Sequence, residues 1–317
     1  MRMRVARVIL LGVLISVPLA GAAEWGGRDG WQRPGAVTDH VVVVSIDGLR
    51  PDAIGRYGLR TLARLVAEGA YDSAAQTILP SKTLPSHVSM LTGVLPERHG
   101  ITWNDDRSER EGTVAVPTVF ELARDEGFTT AGFFSKPKFR HLQKPGTLDY
   151  TQAPVGGEMW MATRTVGDAI TYLRSRRPNL LFVHITEPDF AGHTVGWMSF
   201  AYGWAARRAD GAVTKLVEAA DGAYGHGNYT LIVTADHGGH DRTHGSADLR
   251  DTTIPWLAWG EGVAPGRLPA ALVRTTDTAA TVLWLLGVSR PEGWAGTAVT
   301  AAFTPAAQQV ALERAPD

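Results

Sequence analysis

The chain has 317 residues, 44% of them hydrophobic and 20% charged, with a formal net charge of -1. That composition supplies a large apolar core and excludes the basic excess by which nucleic-acid binders hold a polyanion, so no duplex is expected as a partner and any anionic ligand must be held by local charge. Cysteine is absent, which excludes disulfides, thiolate metal ligands, a cysteine nucleophile and a lipid-modified cysteine.

In chain order, Arg2, Arg4 and Arg7 precede an apolar run, residues 8–19, that has the length of a signal-peptide core and is too short to cross a bilayer. Ala20-Gly21-Ala22 fits the small-residue cleavage pattern. Residues 1–23 therefore read as a signal peptide and residues 24–317 as one domain, expected in the periplasm or secreted, with no stable membrane insertion after cleavage; an uncleaved anchor is the competing reading. Residues 24–38, rich in glycine and polar groups, read as a loose lead-in.

Residues 40–46 contain VVVV, apolar on both faces, as in a central parallel strand covered by helices. Helical periodicity follows at residues 59–68, ended by Gly69. Helices are then expected at 118–125, 167–176, 205–220 and 276–286, and strands at 129–135, 180–186, 229–235 and 254–259. This alternation predicts an α/β fold, an αβα sandwich around a mostly parallel sheet.

In such sheets ligands bind at the carboxyl ends of the strands. Asp47 ends the first strand, Asp189 follows the third expected strand, and Asp236 and His237 follow the fourth. With His193 (EPDFAGH) and His244 (TADHGGHDRTHG) they form a set of carboxylates and imidazoles suited to zinc or a similar divalent ion. Asp189 and His193 share a face if a helical turn opens at Asp189. Alone, Asp47 is equally a helix cap, and His240 competes with His244 as the ligand. The remaining histidines, His87 and His184 among them, show no convergent spacing and read as structural. Lys136, Lys138 and Arg140 read as a surface charge cluster, with substrate contact as the alternative. Trp103, Trp197 and Tyr202 read as core or rim aromatics.

The segment TILPSKTLPSHVSMLTG (residues 77–93) carries a helix bounded by Gly93, with Thr83 at its expected N-cap and Pro85 in its first turn. Thr83 either caps this helix and does nothing else, or is also a nucleophile: a helix N-terminus welcomes phosphate, and a hydroxyl bound to a divalent cation ionises near neutral pH.

VSIDGLRPD, SKTLPSHVSMLTGVLPERHGI, EPDFAGH and TADHGG, in this order, resemble the type I phosphodiesterase/nucleotide pyrophosphatase family of the alkaline phosphatase superfamily. The resemblance implies an alkaline phosphatase-like fold and a two-zinc site, with one ion held by Asp47, Thr83, Asp236 and His237 and the other by Asp189, His193 and His244. It also implies that Asn104 binds phosphoryl oxygens and that Thr83 forms a phosphothreonine on a small phosphoester, nucleotide-like or an aryl phosphodiester. The chain departs from the family pattern at Leu84-Pro85-Ser86, where Phe-Pro-Asn is usual, and in the short spacing between His237 and His244. The rival readings are a phosphomonoesterase on the same scaffold and a non-catalytic metal- or phosphate-binding protein.

Overall fold

The computed structural model describes residues 35–313; the expected signal peptide lies outside them. The first strand, β1 (Val41–Ile46), is buried at every position, as its unbroken apolar run requires. Each valine so removed from water contributes about 1.5–3 kcal/mol. Two helices follow, α1 (Asp52–Arg56) and α2 (Arg60–Glu68), then β2 (Ala70–Gln76). The segment that carries Thr83 forms α3 (Thr83–Thr92), stopped by Gly93 in the left-handed region at φ 66°. Short helices α4 (Pro96–His99) and α5 (Ser108–Glu111) lead to α6 (Val119–Asp125), β3 (Thr130–Phe133), a 3-10 turn at Pro137–Leu142 and β4 (Tyr150–Gln152). Then come α7 (Ala162–Arg176), β5 (Leu180–Ile185), α8 (Glu187–Val195), α9 (Phe200–Tyr224) and β6 (Thr230–Thr234). The chain continues through α10 (Leu249–Thr252), β7 (Thr253–Gly260), β8 (Gly266–Arg267), α11 (Asp277–Leu286) and α12 (Pro305–Leu312).

The strands form one sheet in the order β4-β3-β5-β1-β6-β7-β2-β8. β4, β3, β5, β1 and β6 run parallel, and only β7 is antiparallel to its neighbours β6 and β2. Helices α2, α7, α8 and α9 pack together on one face and α3, α6 and α11 on the other. Most expected elements are present within a few residues of their predicted ends, although α7 and α9 begin five residues earlier than the periodicity indicated. The strand β2 (AYDSAAQ) was not anticipated: its small and polar residues lack an apolar run, and its place is set by pairing with β7 and by buried Asp72, which accepts the N–H groups of Ala74, Ala271 and Val273. The lead-in is ordered at its end, where Ala36, Val37 and Thr38 are buried and Val37 N donates to Leu285 O.

Candidate active site

Four adjacent parallel strands aim their carboxyl ends at one place. β1 is followed by Asp47, β5 by α8 with Asp189 and His193, β6 by Asp236 and His237, and β3 by Lys136 and Lys138. The loop after β1 passes against α8 so closely that Asp189 N donates to Asp47 O at 2.9 Å. Gly48 allows this approach: it has φ +71°, and a side chain there would meet the Asp189 backbone at 2.9 Å.

The side chains sort into two groups. In the inner one, Asp47, Thr83, Asp236 and His237 are buried. His237 Nε2 lies 3.3 Å from Asp47 Oδ1, 3.2 Å from Asp236 Oδ2 and 3.3 Å from Thr83 Oγ1. In the outer group, His193 Nε2 lies 3.3 Å from Asp189 Oδ1 and 3.1 Å from His244 Nε2. His244 Nε2 is 3.7 Å from the same carboxylate oxygen, and the His193 side chain is 46% exposed. The two groups adjoin, with His237 Nε2 3.9 Å from Asp189 Oδ1.

The hydrogen bonds around the rings fit a metal centre. His237 Nδ1 donates to Gly238 O, His193 Nδ1 to Arg242 O and His244 Nδ1 to Ser81 O, at 2.8–3.0 Å. In its neutral form each ring turns its Nε2 lone pair toward the carboxylates, the orientation in which imidazoles ligate metals. Asp47 Oδ1, Asp189 Oδ1 and Asp236 Oδ2 are buried and have no hydrogen-bond partner among the described residues. Buried carboxylate oxygens and imidazole lone pairs that face one another repel unless cations lie between them. The sets Asp189/His193/His244 and Asp47/Asp189/His237 are both compact enough to hold an ion.

Electrostatics follow the same division. Burial opposes ionisation of Asp47, but Lys136, the hydrogen bond from His184 and the nearby His237 ring outweigh it and hold the carboxyl well below the usual range. Burial and the Asp47 charge push Asp236 up to about 8. The His237 ring, against the effect of burial, is lifted by Asp236 and Asp47 to about 9. In the outer group, burial and His237 push His244 down to about 3, whereas the adjacent Asp189 carboxylate raises His193.

Thr83 is not the N-cap that its sequence position suggested. Lys82 holds the cap position in extended conformation, and Thr83 is the first helical residue. The amide N–H of Leu84 is satisfied instead by Asn104 Oδ1 at 2.9 Å. This leaves the Thr83 hydroxyl to face His237 at the N-terminus of a helix buried on all sides. Of the two loop histidines, His240 pairs with Asp251 at 2.6 Å, while His244 joins the outer group. Asp251 also accepts the N–H and hydroxyl of Ser246, so one buried carboxylate shapes the short loop that brings His244 in.

The expected surface cluster of lysines is instead part of the site. Lys136 is buried, with Nζ 2.6 Å from both Asp47 Oδ2 and Asp189 Oδ2, one carboxylate of each group. Lys138 Nζ donates to Asn104 Oδ1 at 3.1 Å. Arg140 pairs with Asp106. His184 and His87, read as structural, form a second layer. His184 Nε2 donates to Asp47 Oδ2 and its Nδ1 accepts from Ser135. His87 Nδ1 donates to Thr83 O and its Nε2 accepts from Ser45. A usable signal existed: Ser45 and His184 are polar, each the penultimate residue of an otherwise apolar strand, and they are register partners. Trp197 is buried and donates to Gly48 O, and its ring fills the space that side chains at Gly192 and Gly239 would need. Tyr202 is buried and donates to the same carbonyl, and Trp103 packs against His141.

Comparison with known proteins agrees with this geometry. The profile of the type I phosphodiesterase / nucleotide pyrophosphatase family matches residues 41–255. Human ectonucleotide pyrophosphatase/phosphodiesterase family member 1 is 26% identical over 227 residues, covering 64% of this chain and 24% of that protein. GPI ethanolamine phosphate transferase 1 from Gibberella zeae is 24% identical over 293 residues, 80% of this chain and 29% of that protein. The chain thus spans about a quarter of the length of these relatives. The structure of murine ectonucleotide pyrophosphatase / phosphodiesterase 5 superposes with a TM-score of 0.70 at 17% identity, covering 84% of this chain and 100% of that one. An inactive threonine-to-alanine variant of that murine protein has been solved in complex with AMP. With more than half of its length matched by the family profile, this chain belongs to the type I phosphodiesterase / nucleotide pyrophosphatase family.

Proposed function

We propose that the chain is a metal-dependent phosphoester hydrolase of the phosphodiesterase/nucleotide pyrophosphatase type that works through a phosphothreonine on Thr83. Asp47, Thr83, Asp236 and His237 would hold one divalent ion and Asp189, His193 and His244 a second, both zinc by the donor set of carboxylates and imidazoles. One observation carries the reading: the Thr83 hydroxyl is buried, freed from capping by Asn104, and 3.3 Å from His237 Nε2.

Bound ions of this kind lower the pKa of a hydroxyl or water and offset charge that builds on phosphoryl oxygens. The protein's part is positioning. The N-terminus of α3 and Asn104 hold the phosphoryl group in front of Thr83. The Thr83 hydroxyl gives up its proton to water, its Oγ1 bonds to phosphorus as the bond to the leaving oxygen breaks, and that oxygen departs with a proton from water. A water then adds to phosphorus, the bond to Thr83 breaks, and the hydroxyl regains its proton. The names of the relatives and the AMP complex of the murine protein favour a small, nucleotide-like phosphoester.

Mature protein supplied with zinc is expected to hydrolyse aryl phosphoesters, to stop on chelation, and to lose turnover in Thr83→Ala. Acid-quenched reactions should carry phosphate on Thr83. Near-normal rates in Thr83→Ala would refute the covalent route. Export belongs to the same proposal: the N-terminus of protein recovered outside the cytoplasm should begin near Ala23.

A further inference from the structure

The carboxylates of Asp47, Asp189 and Asp236 converge, buried, at the carboxyl edge of the sheet, and the Lys136 ammonium stands between two of them. Its Nζ lies 2.6 Å from Asp47 Oδ2 and 2.6 Å from Asp189 Oδ2, and its side chain is 9% exposed. The backbone holds it there: Lys136 is extended (φ -129°, ψ 143°), as the following Pro137 requires. Burial opposes the charge, but Asp189 and Asp47 outweigh it and raise the ammonium above its ordinary range. These contacts divide each carboxylate. Oδ2 meets the ammonium, whereas Oδ1 faces imidazole nitrogens and has no hydrogen-bond partner among the described residues. One oxygen of each carboxylate is therefore left for a metal.

Such an ammonium acts on a bound ion in two opposing ways. By orienting the carboxylates it strengthens binding, and contacts that orient a ligand are worth about 10- to 100-fold in metal affinity. By its charge it weakens binding: it repels the ion and takes up carboxylate charge that would otherwise attract it. A pair of unit charges a few ångström apart at a protein site is worth about a hundredfold or more in an equilibrium constant. The ions are divalent and Lys136 stands against a ligand of each, so the repulsion prevails. We infer that Lys136 is a resident cation of the site, which compensates the carboxylates in metal-free protein and holds down the affinity for both ions. The inference rests on the two-ion reading of Asp47 and Asp189, and it assigns the grip on those ions to a residue outside the donor set. Carboxylates that share their charge with Lys136 also neutralise the ions less, which leaves more positive charge to face phosphoryl oxygens.

The test titrates mature protein and its Lys136→Gln variant with zinc chloride, by calorimetry against a competing chelator, and follows thermal unfolding of both in metal-free form. Glutamine keeps a hydrogen-bond donor and removes the charge. Lys136→Gln should bind zinc about tenfold or more tighter than the intact chain. Its metal-free form should unfold about 5 °C or more lower, because two buried carboxylates lose their counter-ion. A purely structural role predicts the reverse for zinc, since a disordered site binds metal less well. Unchanged or weaker zinc binding would therefore overturn the hold on the ions, and an unchanged unfolding temperature would overturn the compensation in metal-free protein. If the metal-free variant does not fold, variant purified with zinc decides by the rate at which chelator strips it: slower than the intact chain upholds the inference, equal or faster overturns it. Neither readout needs turnover, so a chain that hydrolyses no phosphoester fails the hydrolase reading alone. If the intact chain binds no zinc, the two-ion reading fails; zinc binding gained in Lys136→Gln would still uphold the resident cation, and none gained would overturn it.

Discussion

The inner and outer halves of the site use the same donor types in opposite surroundings. Asp47, Asp236 and His237 sit at the ends of β1 and β6, with no exposed surface, backed by Lys136, His184 and His87. His193 and His244 come from α8 and from a loop, and the His193 side chain is nearly half exposed. Strand ends fix the inner donors as rigidly as the sheet itself, whereas the outer donors depend on a helix turn and on a loop pinned by Asp251. In the proposed reaction the inner half grips the threonine and the outer half meets water at His193.

Substitutions should break this contrast unequally. Asp47→Asn removes a carboxylate that faces His237 and is held by Lys136 and His184; turnover should fall by about a thousandfold or more, without rescue by excess zinc. His193→Ala should weaken zinc binding by about a hundredfold, a deficit that added zinc restores because the exposed half tolerates the change. Rescue of Asp47→Asn by zinc, or failure to rescue His193→Ala, would erase the distinction.

Proton release gives a third measurement. The Asp236 and His237 values are raised to about 8 and 9, so the metal-free pair retains at least one proton at pH 7. A protonated donor cannot ligate, so inner-site affinity should be weak at low pH, climb about tenfold per pH unit for each proton displaced, and level off above about pH 9. His244, lowered to about 3, has no proton to lose in that range. Calorimetry of zinc uptake by His193→Ala protein between pH 6 and 9 should keep this slope; a flat profile would contradict it. The smallest expected effect is that of Asp251→Asn, which loosens the loop carrying His244 and should cost about tenfold in zinc affinity and leave thermal unfolding of the core little changed.

Much of this site was legible in one dimension, because parallel strands are apolar runs and the residue just past each run must lie at the carboxyl edge. That rule located Asp47, Asp189, Asp236 and His237. Applied to the strand ending near Ser135, it would also have placed Lys136 and Lys138 at the same edge. A cluster of basic residues suggests solvent, since charges are costly to bury, and only the two carboxylates facing Lys136 make its burial favourable. The choice between His240 and His244 was not legible, because it depends on which ring Asp251 captures across a folded loop.

By itself the sequence determined the layered α/β architecture, the strands that end in acids and imidazoles, and the presence of a helix next to Thr83, because periodicity and local chemistry act over a few residues. Tertiary structure alone decided that Asn104 rather than Thr83 satisfies the helix amide, that two lysines face inward, and that the donors divide into a sealed half and an open one. Those outcomes depend on groups 20 to 188 positions apart competing for the same hydrogen bonds and the same buried charge, a competition that exists only once the sheet has brought them together.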